Sequence, residues 1–186
     1  MTPIPMDGPA VEPVSAPDMR AYLRLDDGAE DELVAALIRA AGRAVEAAAG
    51  RVLIDSRWRL RLDGWPESGA IPLPVSPLIA VERVRVAGSD GQAIDVPASL
   101  YEADAASDPP RLIVDPRAPE PGQARGGVAI EVRAGFGATP ESVPEPLRQA
   151  TRLLVARWFE NPGDAHPGPL PSDVQALVAP FRRMRL

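Results

Sequence analysis

The spacing of apolar side chains changes twice along the chain, from a helical period to a period of two and back again. Over residues 31–49, apolar residues recur three and four positions apart, which predicts an amphipathic helix ended by Gly50. From residue 51 to 135 apolar and polar residues alternate, as they do in half-buried strands. The helical period then returns and continues to Glu160. The pattern predicts an α+β fold, in which an antiparallel β region is inserted between the second and third of about four helices of a bundle.

Four helices are expected in the two helical parts. The first, at residues 17–25, has Ser15 or Ala16 near its cap, and the second carries small residues that would let another helix approach closely. A capping box at residues 142–145 is expected to open the third helix. Ser172 is expected to cap the last, which Pro180 ends. The apolar stripe predicted for the second helix consists of Leu33, Leu37, Ala40, Ala44 and Ala48, with Val34, Ala41 and Val45 beside it.

The β region reads as a series of short strands separated by turns. Gly-Ser-Asp-Gly at residues 88–91 is a hairpin signal, and the prolines at 72, 74 and 77 place the segment around them at a sheet edge or in a loop. Strands are predicted at 57–62, 70–75, 78–87, 92–96, 100–103, 111–114 and 128–133.

These patterns divide the chain into five parts. They are an extended N-terminal arm (1–16) that a partner would order, a helical part (17–50), the inserted β region (51–136), a helical part continuing the bundle (137–180) and a C-terminal tail (181–186). The residues predicted for the structural core are Leu37, Val45, Trp58, Leu147, Leu154 and Trp158.

Charge and composition exclude several classes of function. The formal net charge is −6, the opposite of what phosphate neutralisation by a nucleic-acid-binding surface requires. The chain has no cysteine, so neither a disulfide nor a thiolate metal site is possible. No apolar run approaches the ~18 residues of a membrane span, and no signal peptide is evident, so no membrane partner is expected.

Candidate chemistry is sparse. The one histidine, His166, lies in a Pro/Gly-rich loop without partners for a catalytic triad or a metal site. Gly135-Phe136-Gly137 lacks the continuation of a phosphate loop and is better explained as a strand-to-helix connection. The acidic turn at residues 26–32 lacks the ligand spacing of a calcium loop. We therefore predict no catalytic, cofactor-binding or metal-binding residue, and no cofactor.

Two groups of arginines remain open to more than one interpretation. Arg57, Arg59 and Arg61 share one strand face, which could grip an acidic surface or could simply be solvated. The C-terminal tail combines arginines with apolar residues, so it could dock in a groove of another protein or remain disordered.

Several short motifs follow one another in a characteristic order along the chain. They are DMRAYLRL (18–25), AGR (49–51), LDGWP (62–66), PLIAVE (77–82), AGFG (134–137), VPEPL (143–147) and LVARWFEN (154–161). This order resembles that of the head–tail connector, or adaptor, proteins of long-tailed phages, prophages and gene transfer agents. The resemblance covers residues 17–182, and Phe136 and Phe159 stand where the family commonly has tyrosine.

The resemblance implies a structural, non-enzymatic protein. Such adaptors form a ring with copies of themselves, typically twelve-fold, beneath the portal protein of a DNA-filled capsid. The ring extends a channel through which DNA passes without specific binding, and it meets a tail-side stopper or tail terminator protein. The protein would be made in the host cytoplasm and end in the particle neck. Residues that the resemblance implies for portal contact are Val174, Leu177, Phe181, Arg182, Arg183, Met184, Arg185 and Leu186.

Two other classes of function stay open from the residues alone. A small hydrolase that uses buried carboxylates would show a concave site with convergent acidic groups. A monomeric adaptor or regulator that binds a peptide along a sheet edge would form a 1:1 complex and no ring.

Overall fold

The computed structural model describes residues 1–26, 30–164 and 168–182. The chain forms two compact units. The β unit comprises residues 1–8 and 55–135, and the helical unit comprises residues 9–54 and those from 136 onward. The predicted α+β class, with antiparallel strands inserted between helical segments, is confirmed.

The helical unit is built from α1 (Ala16–Leu23), α2 (Asp31–Ala49), α3 (Glu145–Glu160) and α4 (Ser172–Val178). The Ser15 side chain accepts a hydrogen bond from the Asp18 amide at 3.1 Å and so caps α1. At the end of α2, Gly50 adopts the left-handed conformation, with φ of 65°, that glycine tolerates best. The bounds of α2 are those that the apolar spacing predicts.

Two of the predicted helix caps are wrong. Residues 140–142 form a separate 3₁₀ turn, and α3 begins only after Pro144, which makes no side-chain cap. The residue before a proline is driven to extended backbone, and Val143 has that conformation, so the helix cannot reach back to Ser142. Ser172 is the first residue of α4, and Pro171 takes the cap position.

The core of the helical unit lies where α2, α3 and α4 meet. Val45, Leu147 and Leu154 are fully buried there, and each such side chain contributes about 1.5–3 kcal/mol relative to exposure. Leu37 and Trp158, also predicted for the core, are only partly buried at its margin. The buried stripe of α2 is centred about 100° from the predicted one and consists of Val34, Ile38, Ala41, Val45 and Ala49.

The β unit contains two antiparallel sheets. In the five-stranded sheet, β8 (Val128–Ala134) lies between β2 (Ser56–Leu62) and β4 (Leu78–Ala87). Its register aligns Ile130 with Leu60 on one side and with Val84 on the other. These three side chains are buried, whereas Trp58 is only partly buried. The sheet order is β1-β2-β8-β4-β5, with β1 at Ile4–Pro5 and β5 at Ala93–Asp95.

The second sheet has the order β3-β7-β6, with strands at Ala70–Pro72, Arg111–Val114 and Tyr101–Asp104. β3 is an edge strand, as its proline predicts, since proline has no amide proton for a second neighbour. The predicted turn at residues 88–91 joins β4 to β5, and the Gly88 amide donates to the Gln92 carbonyl at 2.7 Å.

The N-terminal residues do not form the separate arm expected from the prolines. Within the β unit, Ile4 and Pro5 pair with Arg59 and Trp58 as strand β1. Within the helical unit, Val14 is buried. Backbone pairing and apolar burial inside the chain therefore order these residues without an external partner. In the described ranges no helix has the length and hydrophobicity needed to cross a membrane.

Candidate interaction surfaces

The C-terminal segment is attached to the helical unit by a polar and an aromatic contact. Arg51, just after α2, donates from Nε to the Phe181 carbonyl at 2.9 Å. The Phe181 ring meets Phe136 edge to face, with centroids 6.4 Å apart and planes at 88°, a geometry that aromatic pairs favour. We call Arg51, Phe136 and Phe181 the C-terminal anchor, because they hold the chain just before its last residues.

The residues proposed for portal contact occupy different environments. Val174 is 1% exposed in the helical core, where it holds α4 in place and offers no surface to a partner. Leu177 and Phe181 are partly buried, and Arg182 is exposed. Arg183, Met184, Arg185 and Leu186 lie outside the described residues.

Helix α2 presents apolar side chains on the side away from its core. Leu33 is 50% exposed, and the alanines on the same side are exposed or half-exposed. Arg39 and Arg43 flank this surface, and Arg43 pairs with Glu46 at 2.8 Å. At 1.5 Å per residue the surface extends about 20 Å along the helix. This outer stripe of α2 consists of Leu33, Ala36, Leu37, Ala40, Ala44 and Ala47.

The arginines of β2 are largely neutralised within the β unit. Glu131, 6% exposed, lies between Arg59 and Arg85, whose Nη2 atoms are 2.8 and 2.6 Å from its Oε1. Burial alone would raise the pKa of Glu131, but the two guanidiniums outweigh it and lower that pKa. Arg57 similarly pairs with Glu82 at 3.0 Å. This face is therefore a network of ion pairs and not an unpaired basic patch.

No arrangement suited to catalysis is evident in the described part of the chain. A cleft of about 190 Å³ lies between Trp158 and residues 168–171, below the ~300–1,000 Å³ of typical ligand pockets. Glu12 and Glu46 line a cavity of about 10 Å³, room for one water at most. Burial raises the pKa of Glu12, against the attraction of Arg43 and Arg39.

Metal and phosphate sites also lack support. Among the described residues no group of three acidic or histidine side chains could hold a metal ion. His166 lies outside those residues, as does the centre of the acidic turn. Gly135 has φ of 141°, which disfavours other residues, and a Cβ on Gly137 would lie 2.5 Å from the Ser142 side chain. These two glycines are thus required by a tight strand-to-helix connection.

The sequence did not predict the C-terminal anchor, and it did not predict that the outer stripe of α2 faces away from the core. The pairing of Arg51 with the Phe181 carbonyl joins residues 130 positions apart and has no local signal. For Glu131 the sequence showed only a carboxylate opposite the apolar positions of an alternating strand, and its place beside arginine-rich β2 follows from the sheet order.

Comparison with known proteins finds similarity among solved structures alone. No family model and no curated protein matches the chain. A chain of the virion of a native gene transfer agent (GTA) particle is 29% identical, with a TM-score of 0.83. Chains from the neck of an empty GTA particle computed with C6 symmetry, and of a native one computed with C12 symmetry, are 29% and 28% identical, with TM-scores of 0.82 and 0.75. Each alignment covers 100% of this chain and 97% of the other.

Proposed function

We propose that this protein is a structural component of the neck of a gene transfer agent or related phage-like particle, where it acts as a head–tail adaptor. The observation that carries the proposal is the end-to-end similarity to two chains from GTA necks, at 29% and 28% identity with TM-scores of 0.82 and 0.75, together with one chain of a GTA virion. Both the helical and the β unit are included in that similarity, because all of this chain is covered. An adaptor needs contact surfaces but no reactive groups, which agrees with the lack of a catalytic constellation among the described residues.

In this proposal copies of the chain form a ring beneath the portal protein and extend the DNA channel toward a tail-side stopper or terminator. The C6 and C12 symmetries used for the matched necks support a cyclic arrangement, and we propose twelve copies. The net charge of −6 disfavours tight, non-specific attachment to DNA. Weak attachment suits a channel component, because DNA must slide through the channel.

We further propose that the C-terminal segment carries the portal contact. The C-terminal anchor fixes the position of Phe181, directly before Arg182. Arg182 is exposed beside it, and the partly buried Leu177 and Phe181 complete the surface. Residues 183–186 add two arginines and two apolar residues, a combination suited to a groove with acidic and apolar walls. Val174 is left out of this surface because it is buried.

The test measures incorporation into particles purified from producing cells. Quantitative mass spectrometry should give a ratio of this protein to the portal protein near one to one. A chain that ends at Arg182 should fold normally, because the anchor remains intact, but be lost from particles. A truncation before Phe181 would be less informative, since it would also remove the Phe136 contact.

Two outcomes would contradict the proposal at different levels. Absence of the full-length protein from particles would refute the neck assignment. The alternatives would then be a small hydrolase or a monomeric peptide-binding regulator. Normal incorporation of the truncated chain would refute only the portal contact. A matched control, with Arg182→Gln in the full-length chain, should retain most incorporation if the last four residues dominate binding.

A further inference from the structure

We propose that the outer stripe of α2 is the surface through which one copy of this chain contacts the next around the ring. This inference rests on the proposed function. Its physical basis is that α2 is apolar on two sides, and the described residues fully cover only one of them. Four residues of the outer stripe are exposed, namely Leu33, Ala36, Ala40 and Ala47, whereas Leu37 and Ala44 are half-buried at the margin of the helical core.

The composition of the stripe is unusual for a solvated helix face. A quarter of the chain is charged, yet these six positions over four turns contain only leucine and alanine. A helix that is hydrophobic nearly all round is typical of one that is buried on all sides. Leu33 is as much as 50% exposed although it lies on the longest helix of the unit. The described residues of one copy therefore leave the exposed part of this stripe without a cover.

A second copy of the chain is the occupant that best fits this surface. Chains similar from end to end belong to necks computed with C6 and C12 symmetry, so identical neighbours related by rotation are expected. In a closed ring each copy uses one patch to contact a different patch of the next. The stripe would be the first patch, and its four alanines would allow a neighbouring element to approach to the shorter helix-packing distances of about 8 Å.

Charge at the edge of the stripe agrees with this choice. Arg39 flanks the stripe and is exposed, and within its own chain it interacts electrostatically with the Glu12 carboxylate. The chain itself carries 26 acidic residues against 20 basic ones, so a neighbouring copy presents an excess of carboxylates. An ion pair at the rim would orient the contact, while the apolar stripe would form its buried centre.

The first experiment introduces a charge at the centre of the stripe. Ala40→Glu places a carboxylate on an exposed position, so the free chain should keep its helical circular dichroism. In particles its copy number relative to the portal should fall at least about tenfold, because the ring would bury an unpaired charge. The control is Ala105→Glu, the same change at an exposed loop alanine of the β unit, which should assemble normally.

A second experiment identifies the occupant. The chain has no cysteine, so Ala40→Cys can be labelled at one position with a benzophenone maleimide. Illumination of assembled particles should give a product of two chains, twice the mass of 19.7 kDa. Two outcomes would overturn the inference. In one, labelled Ala40→Cys crosslinks only to a different protein. In the other, labelled Ala40→Cys gives no crosslinked dimer whereas labelled Ala105→Cys does.

The results separate this inference from the function on which it depends. If the wild-type protein is present in particles and Ala40→Glu enters at the same ratio, the stripe is not a ring contact and the neck assignment stands. If the wild-type protein is absent from particles, the neck assignment fails first. Equal loss of Ala40→Glu and Ala105→Glu would also overturn the assignment of the stripe.

Discussion

Replacing Glu131 by glutamine tests whether a single buried carboxylate holds the centre of the larger sheet together. Its Oε1 accepts hydrogen bonds from Arg59 Nε and Nη2, at 3.1 and 2.8 Å, and from Arg85 Nη2 at 2.6 Å. Glutamine keeps the shape but removes the charge. Two guanidiniums would then lie close together without an anion, and the buried Nε of Arg85 already lacks a hydrogen-bond partner among the described residues.

The size of the effect follows from the burial of the three groups. Removing one member of a fully buried ion pair costs about 3–5 kcal/mol. The arginine side chains are 34% and 27% exposed, so water can replace part of the lost interaction. We therefore expect Glu131→Gln to lower the free energy of unfolding by about 2 kcal/mol. Glu82→Gln, which breaks an exposed pair between β4 and Arg57 of β2 on the other side of β8, should cost less than about 1 kcal/mol.

The assay is urea unfolding followed by tryptophan fluorescence in a Trp158→Phe background. Trp58 and Trp65, the two remaining tryptophans, both belong to the β unit, so the signal reports that unit. The dependence on pH gives a second readout. The folded-state pKa of Glu131 lies below its ordinary value of 4.5, so its contribution is present above that value. The contribution is lost as the pH falls through the lowered pKa, and the two proteins should then become equally stable.

Two results would refute this reasoning. One is a loss for Glu131→Gln no larger than that for Glu82→Gln, which would mean that water compensates the arginines fully. The other is a difference between wild type and Glu131→Gln that persists unchanged well below the lowered pKa. In that case the loss would come from packing and not from the charge.

Two further predictions concern the helical core and a β-strand carboxylate. Leu154→Ala should cost about 2–5 kcal/mol, because Leu154 is 1% exposed, whereas Leu33→Ala should change stability by under about 0.5 kcal/mol in the free chain. Urea unfolding followed by Trp158 fluorescence would measure both, and equal losses would contradict the assigned burial. Asp104 has its pKa lowered to about 2, chiefly by the Ser107 hydroxyl and then by Arg111. Ser107→Ala should raise that pKa toward 3.8 in an NMR titration, and an unchanged value would assign the lowering to Arg111.

Local periodicity was sufficient to predict most of the elements, although it missed strand β1. The bounds of α2, β4 and β7 agree with those read from apolar spacing and turn residues. Helix and strand periods depend on the nearest few residues, so the information lies within each segment. The α+β class follows from the same signal, as does the hairpin at residues 88–91.

The helix caps and the order of strands in the larger sheet could not be predicted from this local periodicity. The capping box at residues 142–145 matches its motif, yet Pro144 holds Val143 in extended backbone and the helix begins only at Glu145. β8, last along the chain, takes the central place between β2 and β4. A strand has two edges that can pair, and the choice of partner depends on long-range contacts that no alternating pattern specifies.

The candidate interaction surfaces show most clearly which features the sequence predicts and which depend on the tertiary structure. The sequence alone determined that α2 is apolar over most of its circumference and that the last residues combine arginines with apolar side chains. Only the tertiary structure decided that Val34 and Ile38 face the core while Leu33 remains 50% exposed, and that Phe181 is held by Arg51 and Phe136. The physical reason is that adjacent stripes of one helix have similar hydrophobicity, and which of them is buried depends on where the rest of the chain packs.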